Sequence, residues 1–496
     1  MQTQVIDAGG RLVLPGFQDA HVHAVEAGIN ESLSLLPQFG TAAQYRAALQ
    51  QAVTEQPGSA SDWVIGAGVN MAALLETIAS PLALIDEEIP HRPAVILDDL
   101  GHGAWANSLA LAAVGFDQLT DNPPGGIIDV DTSNRLTGII FESASQNLVD
   151  ASQPPTTANL DFAYQSFLHV LETFARHGIT TISDAGGYWP RGHQQVWARA
   201  ENENQLSVRA NNALYVYPEK EFDQQVAEII RLRTNDPNAL VRFNQVKIYT
   251  DGILSQTTAA MLAPYEPAAL PALAAPNGFT YFDPTTLNQY AAAFDAAGFQ
   301  LHFHATGDRG TRLALDAIAH AQTANNSTGK RHRITHVFMV DAADVPRFAQ
   351  LGVYADFQLT STSLTDENLA DVEFLIGPRA AAYLPARTLL DAGVDLTLSS
   401  DFDADELSPF IKIEGVVTRP TQNIPDVATA IRLMTLEPAK LLHHEDKTGS
   451  LEIGKLADLI IVDRDILTVP VHQISEAKVL LTLLGGQEVY RAPQFR

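Results

Sequence analysis

The chain has 496 residues, 46% of them apolar and 18% charged, which is enough for a large core and outside the range of wholesale disorder. Thirty-one Lys and Arg against 58 Asp and Glu leave a net charge of −27, a balance that repels phosphate backbones and anionic membrane surfaces, so no nucleic-acid or membrane partner is expected. With no cysteine, disulfides and thiolate metal sites are excluded, and any metal must be held by nitrogen and oxygen.

The opening MQTQVIDAGG lacks the basic and apolar regions of a secretory leader, and no run approaches the ~20 apolar residues that span a bilayer, so the expected compartment is the cytoplasm. Leu12 to His23, LVLPGFQDAHVH, reads as one strand. Side chains alternate with a period of two along a strand, so His21 and His23 share a face, with Asp19 one step deeper. Two imidazoles at a strand end suit a metal, and they equally suit hydrogen bonding to neighbours. Partners further along the chain decide between the two.

Residues 24–160 are far too long for an ordinary strand-to-helix connection and read as an inserted subdomain. It holds apolar runs at Trp63 to Gly66 and Ala94 to Leu97, the segment GHGAWANSLAL, and a turn at Pro123 to Gly126. His102 and Glu142 stand out in it. Each reads first as a structural residue, since nothing nearby completes a constellation, and substrate binding is the functional reading.

From Leu160 the pattern becomes regular: LDFAYQSFLHVLETFARHG has helical spacing, stops at Gly178, and leads into the β-rich ITTISDAG. Further strands are expected at Val208 to Tyr217, Val241 to Tyr249, Phe299 to His304, Arg333 to Met339, Val353 to Gln358 and Val394 to Ser399. Several are preceded by a helix that stops at a glycine, as at Gly298, Gly352 and Gly393. Eight alternating units predict the α/β class and a closed (β/α)8 TIM barrel over residues 15–444. Polar residues gather at the strand ends, where such a barrel keeps its chemistry: His21, His23, Lys247, His304, His336 and Asp401. The tail from residue 445, with TGSLEIGKLADLIIVDRD, reads as a small β domain shared with residues 1–14.

Taken together, FQDAHVH, VKIYTDG, HATGD, RITH and SSD occur in the order and strand positions of the amidohydrolase superfamily, and the chain closely resembles its family 3 group of metal-dependent hydrolases. Finer matches are VKIYTDGILSQTTAAMLAPY, HATGDRG and GHGAWANSLAL, and the resemblance runs from Val5 to the tail. It implies the metal ligands His21, His23, Lys247, His304, His336 and Asp401. His302, two residues before His304 and on the same strand face, is the competitor for that ligand role, and the HAxGD match favours His304. His332, His443 and His444 read as surface or packing residues.

Imidazole and carboxylate ligands suit one or two divalent transition-metal ions, zinc first, with one position left for water. His21 and His23 would hold one ion, and His304 and His336 the other. Lys247 can ligate only after its amine becomes a carbamate, which would bridge two ions; a mononuclear site is the other reading. Asp401 would ligate and also accept the attacking water's proton, then return it to the leaving nitrogen. Asp403 and Asp405 are expected to be solvated loop residues.

The expected function is hydrolysis of a C–N bond in a small amide, cyclic amide or N-formyl compound. A mononuclear-metal deaminase or phosphoesterase of the same superfamily, and a non-catalytic metal-free barrel, are the competing readings. Two departures from the family pattern bear on this. Members carry several dozen more residues before VIDAGGRLVLPGF, so either the N-terminus is trimmed or the small β domain is N-terminally incomplete and partly open-edged, an association liability compatible with a homo-oligomer. SSDFDADELSP also replaces the usual GSDAP, which leaves the small-molecule substrate unspecified.

Overall fold

The computed structural model describes residues 5–117, 120–270, 275–359 and 365–495, so residues 1–4 of the expected small β domain lie outside the described residues. Eight strands form one sheet in chain order: Phe17–Val22, Ile179–Gly187, Arg209–Tyr215, Val241–Tyr249, Gln300–Ala305, Arg333–His336, Tyr354–Phe357 and Leu396–Leu398. Every neighbouring pair is parallel. The first and last strands meet through Asp401 N–H donating to His21 O (2.8 Å) and His23 N–H donating to Phe402 O (2.6 Å), and Val22 bridges to Phe402. The sheet is thereby a (β/α)8 barrel.

The single strand expected from Leu12 to His23 is two strands in two sheets, Leu12–Pro15 and Phe17–Val22. Gly16 separates them: its N–H donates to Asp458 O, and a side chain there would meet the Thr180 side chain at 2.3 Å. Leu12–Pro15 pairs antiparallel with Leu459–Val462, which continues through Val479–Leu484 to Gln487–Arg491. This four-stranded sheet is fastened beneath the barrel by Arg209, whose Nε donates to Asp458 at 2.9 Å, and by Thr482 Oγ1 donating to Ala175 O. The sixth strand stops at His336 instead of reaching Met339, because His336 and Val337 both adopt positive φ (73° and 48°) and leave the sheet.

Residues 34–142 build a separate six-stranded mixed sheet. Its strand Ala94–Asp98 is buried on both faces: Ala94 and Ile96 pack with Tyr45, Trp105 and Ile85, whereas Val95 and Leu97 pack with Ile140, Ala144 and Leu148. The turn after this strand and the end of strand Leu136–Glu142 carry His102 and Glu142 toward the barrel mouth.

The barrel interior is polar below the strand ends. Arg333 is fully buried and donates to Ala20 O, Ser183 Oγ and Gln245 Oε1, tying strands one, two, four and six at one point. Asp356 accepts from Thr397, Ser399 and Thr335 at 2.6, 2.8 and 2.9 Å. Buried polar groups are tolerable only when so satisfied. Among the described residues, no helix is long and apolar enough to cross a membrane.

Helix Ala24–Glu31 follows the first barrel strand and lies against helix Thr157–Arg176, where Gly28 faces backbone: a Cβ there would sit 2.7 Å from Ser166 C and 2.9 Å from Phe167 N. Backbone cannot yield as a flexible side chain does, so Gly28→Val should lower the urea midpoint by the equivalent of about 1–3 kcal/mol. An unchanged midpoint would show that the two helices separate freely.

Candidate active site and metal centre

His21 and His23 point their Nε2 atoms at one oxygen, Asp401 Oδ1, at 3.1 and 3.3 Å. These three residues offer ligand atoms that all lie within 4.8 Å of one another. The cause is the seam between the first and eighth strands, with Asp19 as its pin: its Oδ1 accepts from His21 N–H (3.2 Å) and Ser400 N–H (3.0 Å), so the two strand ends cannot slide independently. Asp401 itself holds a positive φ of 59°, a strained conformation for a non-glycine residue that costs on the order of 1–3 kcal/mol.

The other implied ligands surround this trio. His336 Nδ1 lies 3.7 Å from Asp401 Oδ2, and its ring centroid is 4.5 Å from that of His304. Lys247 is fully buried, with Nζ 3.3 Å from His21 Nε2. His304 stacks on Tyr249 at 4.2 Å, and its Nε2 contacts Gly252 O at 3.1 Å. That contact makes Nε2 the protonated nitrogen and leaves Nδ1, which is buried with no partner, as a bare lone pair. His302 points elsewhere: its Nε2 contacts His21 Nδ1 at 2.8 Å, so it orients the His21 ring from behind. His332 is a packing residue against Asp295 (3.1 Å), and His444 contacts Asn211 Nδ2 at 2.9 Å, whereas His443 is exposed.

Burial drives the electrostatics. It pushes His21, His302 and His304 well below the usual imidazole range and His336 down to about 3, so all four are neutral and can present lone pairs. It also lowers Lys247 to about 7, against the opposing charge of Asp401. Burial works the other way on Asp401, but His21, with hydrogen bonds from His21 and His23, outweighs it and holds the carboxyl well below its ordinary value. Neutral imidazoles, an anionic carboxylate and an orphaned buried Nδ1 form a donor set that fits a divalent transition metal.

The site opens into a cavity of about 330 Å³ between the barrel mouth and the six-stranded sheet. His23, His336, Asp401 and Tyr249 line its floor, and Asp98, His102 and Ser145 line the far wall. His102 and Glu142, forty positions apart, are a pair: His102 Nδ1 lies 2.7 Å from Glu142 Oε2. Glu142 also accepts from Tyr281 OH (2.7 Å) and Thr258 Oγ1 (2.5 Å), and it sits at φ 59°. Burial opposes a charge on His102, but Glu142 overrides it and raises the imidazole above its ordinary value.

The expectation that Asp403 and Asp405 are solvated is corrected. Asp403 lines the cavity and accepts from Asn30 Nδ2 at 2.8 Å, and Asp405 lies 3.5 Å from the buried Lys412, because the chain after Asp401 folds inward along the first helix. Sequence reasoning also missed Asp98, whose carboxylate accepts from His102 N–H and Gln256 Nε2 and is pushed up to about 6 by burial. Asp251 was missed too. It accepts from Ala260, Thr306 and Gly307 N–H at 2.8, 3.1 and 2.8 Å, bracing the turn after His304, where a Cβ on Gly307 would collide with Ala260 O at 2.0 Å. The TDG and HATGD motifs were its signal.

Comparison with known proteins agrees with this architecture. The putative amidohydrolase YtcJ of Bacillus subtilis is 24% identical over 99% of this chain and 91% of its own length. The N-substituted formamide deformylase of Arthrobacter pascens is 25% identical over 97% and 89%. A metal-dependent hydrolase of Pyrococcus horikoshii, uncharacterized beyond that description, shares the fold at a TM-score of 0.71 and 20% identity, covering 94% of this chain and 89% of that one. The model of the amidohydrolase family matches residues 4–490, and the chain belongs to that family.

Proposed function

We propose that the chain hydrolyses a C–N bond of a small amide, cyclic amide or N-formyl compound, using His21, His23, Lys247, His304, His336 and Asp401 to hold two divalent ions, zinc first. The observation that carries this reading is the convergence of His21, His23 and Asp401 within 4.8 Å at the floor of an accessible cavity. Lys247 would bridge as its carbamate, supported by a buried amine 3.3 Å from His21 Nε2. The Arthrobacter relative, named for cleaving N-substituted formamides, supports the N-formyl compounds among the candidates. The cavity wall adds charge selection. Glu31, Asp98, Asp99 and Asp403 line it and no Lys or Arg does among the described residues, so neutral or cationic substrates are favoured over anions.

A divalent ion held by these donors supplies Lewis acidity and lowers the pKa of water toward about 7. The chain's own residues do the rest. Asp401 accepts the proton of the water attacking the carbonyl carbon, and passes it to the nitrogen as the C–N bond breaks, giving a carboxylic acid and an amine. His102, locked by Glu142 through Nδ1, directs its remaining N–H into the cavity and donates to the substrate carbonyl oxygen, where negative charge develops. His302 holds the His21 tautomer.

Elemental analysis of the purified protein should find two transition-metal ions per chain, and chelation should abolish hydrolysis of formamides and lactams, with return of metal restoring it. A stoichiometry near zero, together with activity indifferent to chelation, would sink the enzyme reading, and one ion with an unmodified Lys247 would establish the mononuclear site. Asp401→Asn should reduce turnover by about 100-fold or more while metal content falls less; wild-type turnover would place the proton shuttle elsewhere. Glu142→Gln should lower kcat/KM by about tenfold with metal content retained, and an unaffected kcat/KM would return the pair to a structural role.

A further inference from the structure

At the opposite end of the barrel, the N-terminal ends of strands four and five and the turn after helix Leu436–Leu441 border a second, open cavity of about 410 Å³. Its lining is unusual for a chain of net charge −27: Arg242, Lys330 and His443 contribute, with Asn235, Asn244 and Gln300, and no carboxylate does. Arg242 is the informative residue. It is 7% exposed, and of its guanidinium nitrogens only Nη2 is hydrogen-bonded among the described residues, to Pro237 O at 2.8 Å. Its Nε is buried without a partner.

The neighbouring charges do not serve Arg242. Arg209 is engaged with Asp458 at 2.9 Å, and Lys330 with Asp295 at 3.1 Å, while Asp236, the carboxylate whose field reaches Arg242, makes no ion pair with it. Burying an unpaired guanidinium is unfavourable unless something compensates it. The planar fork of N–H donors is suited to a carboxylate or a phosphate group, which it can hold through two parallel bonds.

We propose that this cavity is a binding site for a small molecule carrying a carboxylate or phosphate group, gripped by Arg242 and flanked by His443. It is separate from the catalytic cavity: Arg242 and Lys247 lie on the same strand, five residues apart, or roughly 16 Å. The occupant would join strand four to the segment at Leu442 and His443, so binding should raise the unfolding temperature of the folded chain.

The test is thermal unfolding of the full-length, metal-replete protein titrated with inorganic phosphate or succinate, at ionic strength matched with chloride. Wild type should show a saturable rise in unfolding temperature with one or both anions, which Arg242→Gln and His443→Glu should lack. His443 is exposed, so its variant decides the matter should Arg242→Gln fail to fold. A response to phosphate alone assigns a phosphoryl ligand, and to succinate alone a carboxylate. Equal shifts in wild type and His443→Glu, as anion binding at the catalytic metals would give, overturn the proposal, and so does a wild-type response no larger than that to chloride.

Discussion

The closure of the barrel between its first and eighth strands is the constraint on which the rest of the site depends. Asp401 N–H donates to His21 O, His23 N–H donates to Phe402 O, and Asp19 accepts from both His21 and Ser400. The same residues that close the sheet are those that converge on one carboxylate oxygen, so fold closure and the convergence of these side chains are one event. Strain follows from this. Asp401 and His336 take left-handed backbone conformations at strand ends where a regular strand would carry their side chains past the site. Beneath them, Arg333 ties strands one, two, four and six with hydrogen bonds, which fixes the distances between the strands that carry His21, Lys247 and His336 more firmly than apolar packing would.

Burial then sets the chemistry. Water is excluded from His21, His302 and His304, which favours the neutral imidazole, and the hydrogen bond from His304 to Gly252 O selects which nitrogen is free. Buried neutral bases beside an anionic carboxylate at the floor of the cavity are poised for a cation. The six-stranded sheet adds a layer the barrel lacks, a histidine whose pKa Glu142 raises and an acidic wall around it.

Much of this was legible in the sequence where the signal is local. The alternation of helical and β-rich segments, with glycine stops at Gly298, Gly352 and Gly393, marked the barrel strands to within a few residues, and the strand-end histidines announced a site. What was not legible depends on long-range pairing. Gly16 looked like an interior strand residue because nothing nearby in sequence says that Asp458 will accept its N–H. His102 and Glu142 looked unpartnered because their contact is made across an antiparallel sheet. Asp403 looked like a solvated acid because its burial depends on Asn30, more than three hundred positions earlier. Net composition was also misleading in one place, since an acidic chain carries a cavity whose lining includes Arg242 and Lys330 and no carboxylate.

The pairing of Leu12–Pro15 with Leu459–Val462 has a consequence for biosynthesis. Leu12–Pro15 leaves the ribosome about 440 residues ahead of its partner, a wait of roughly 20 to 90 s at about 5–20 residues per second. During that interval its unpaired edge is open to other chains. His21 and His23 wait nearly as long for Asp401, so a nascent chain that has not yet reached the eighth strand has neither a closed barrel nor the convergence of these three side chains. Assembly of the His21, His23 and Asp401 cluster is thereby coupled to synthesis of the eighth strand, and a chain stalled before it exposes a sheet edge that it cannot cover.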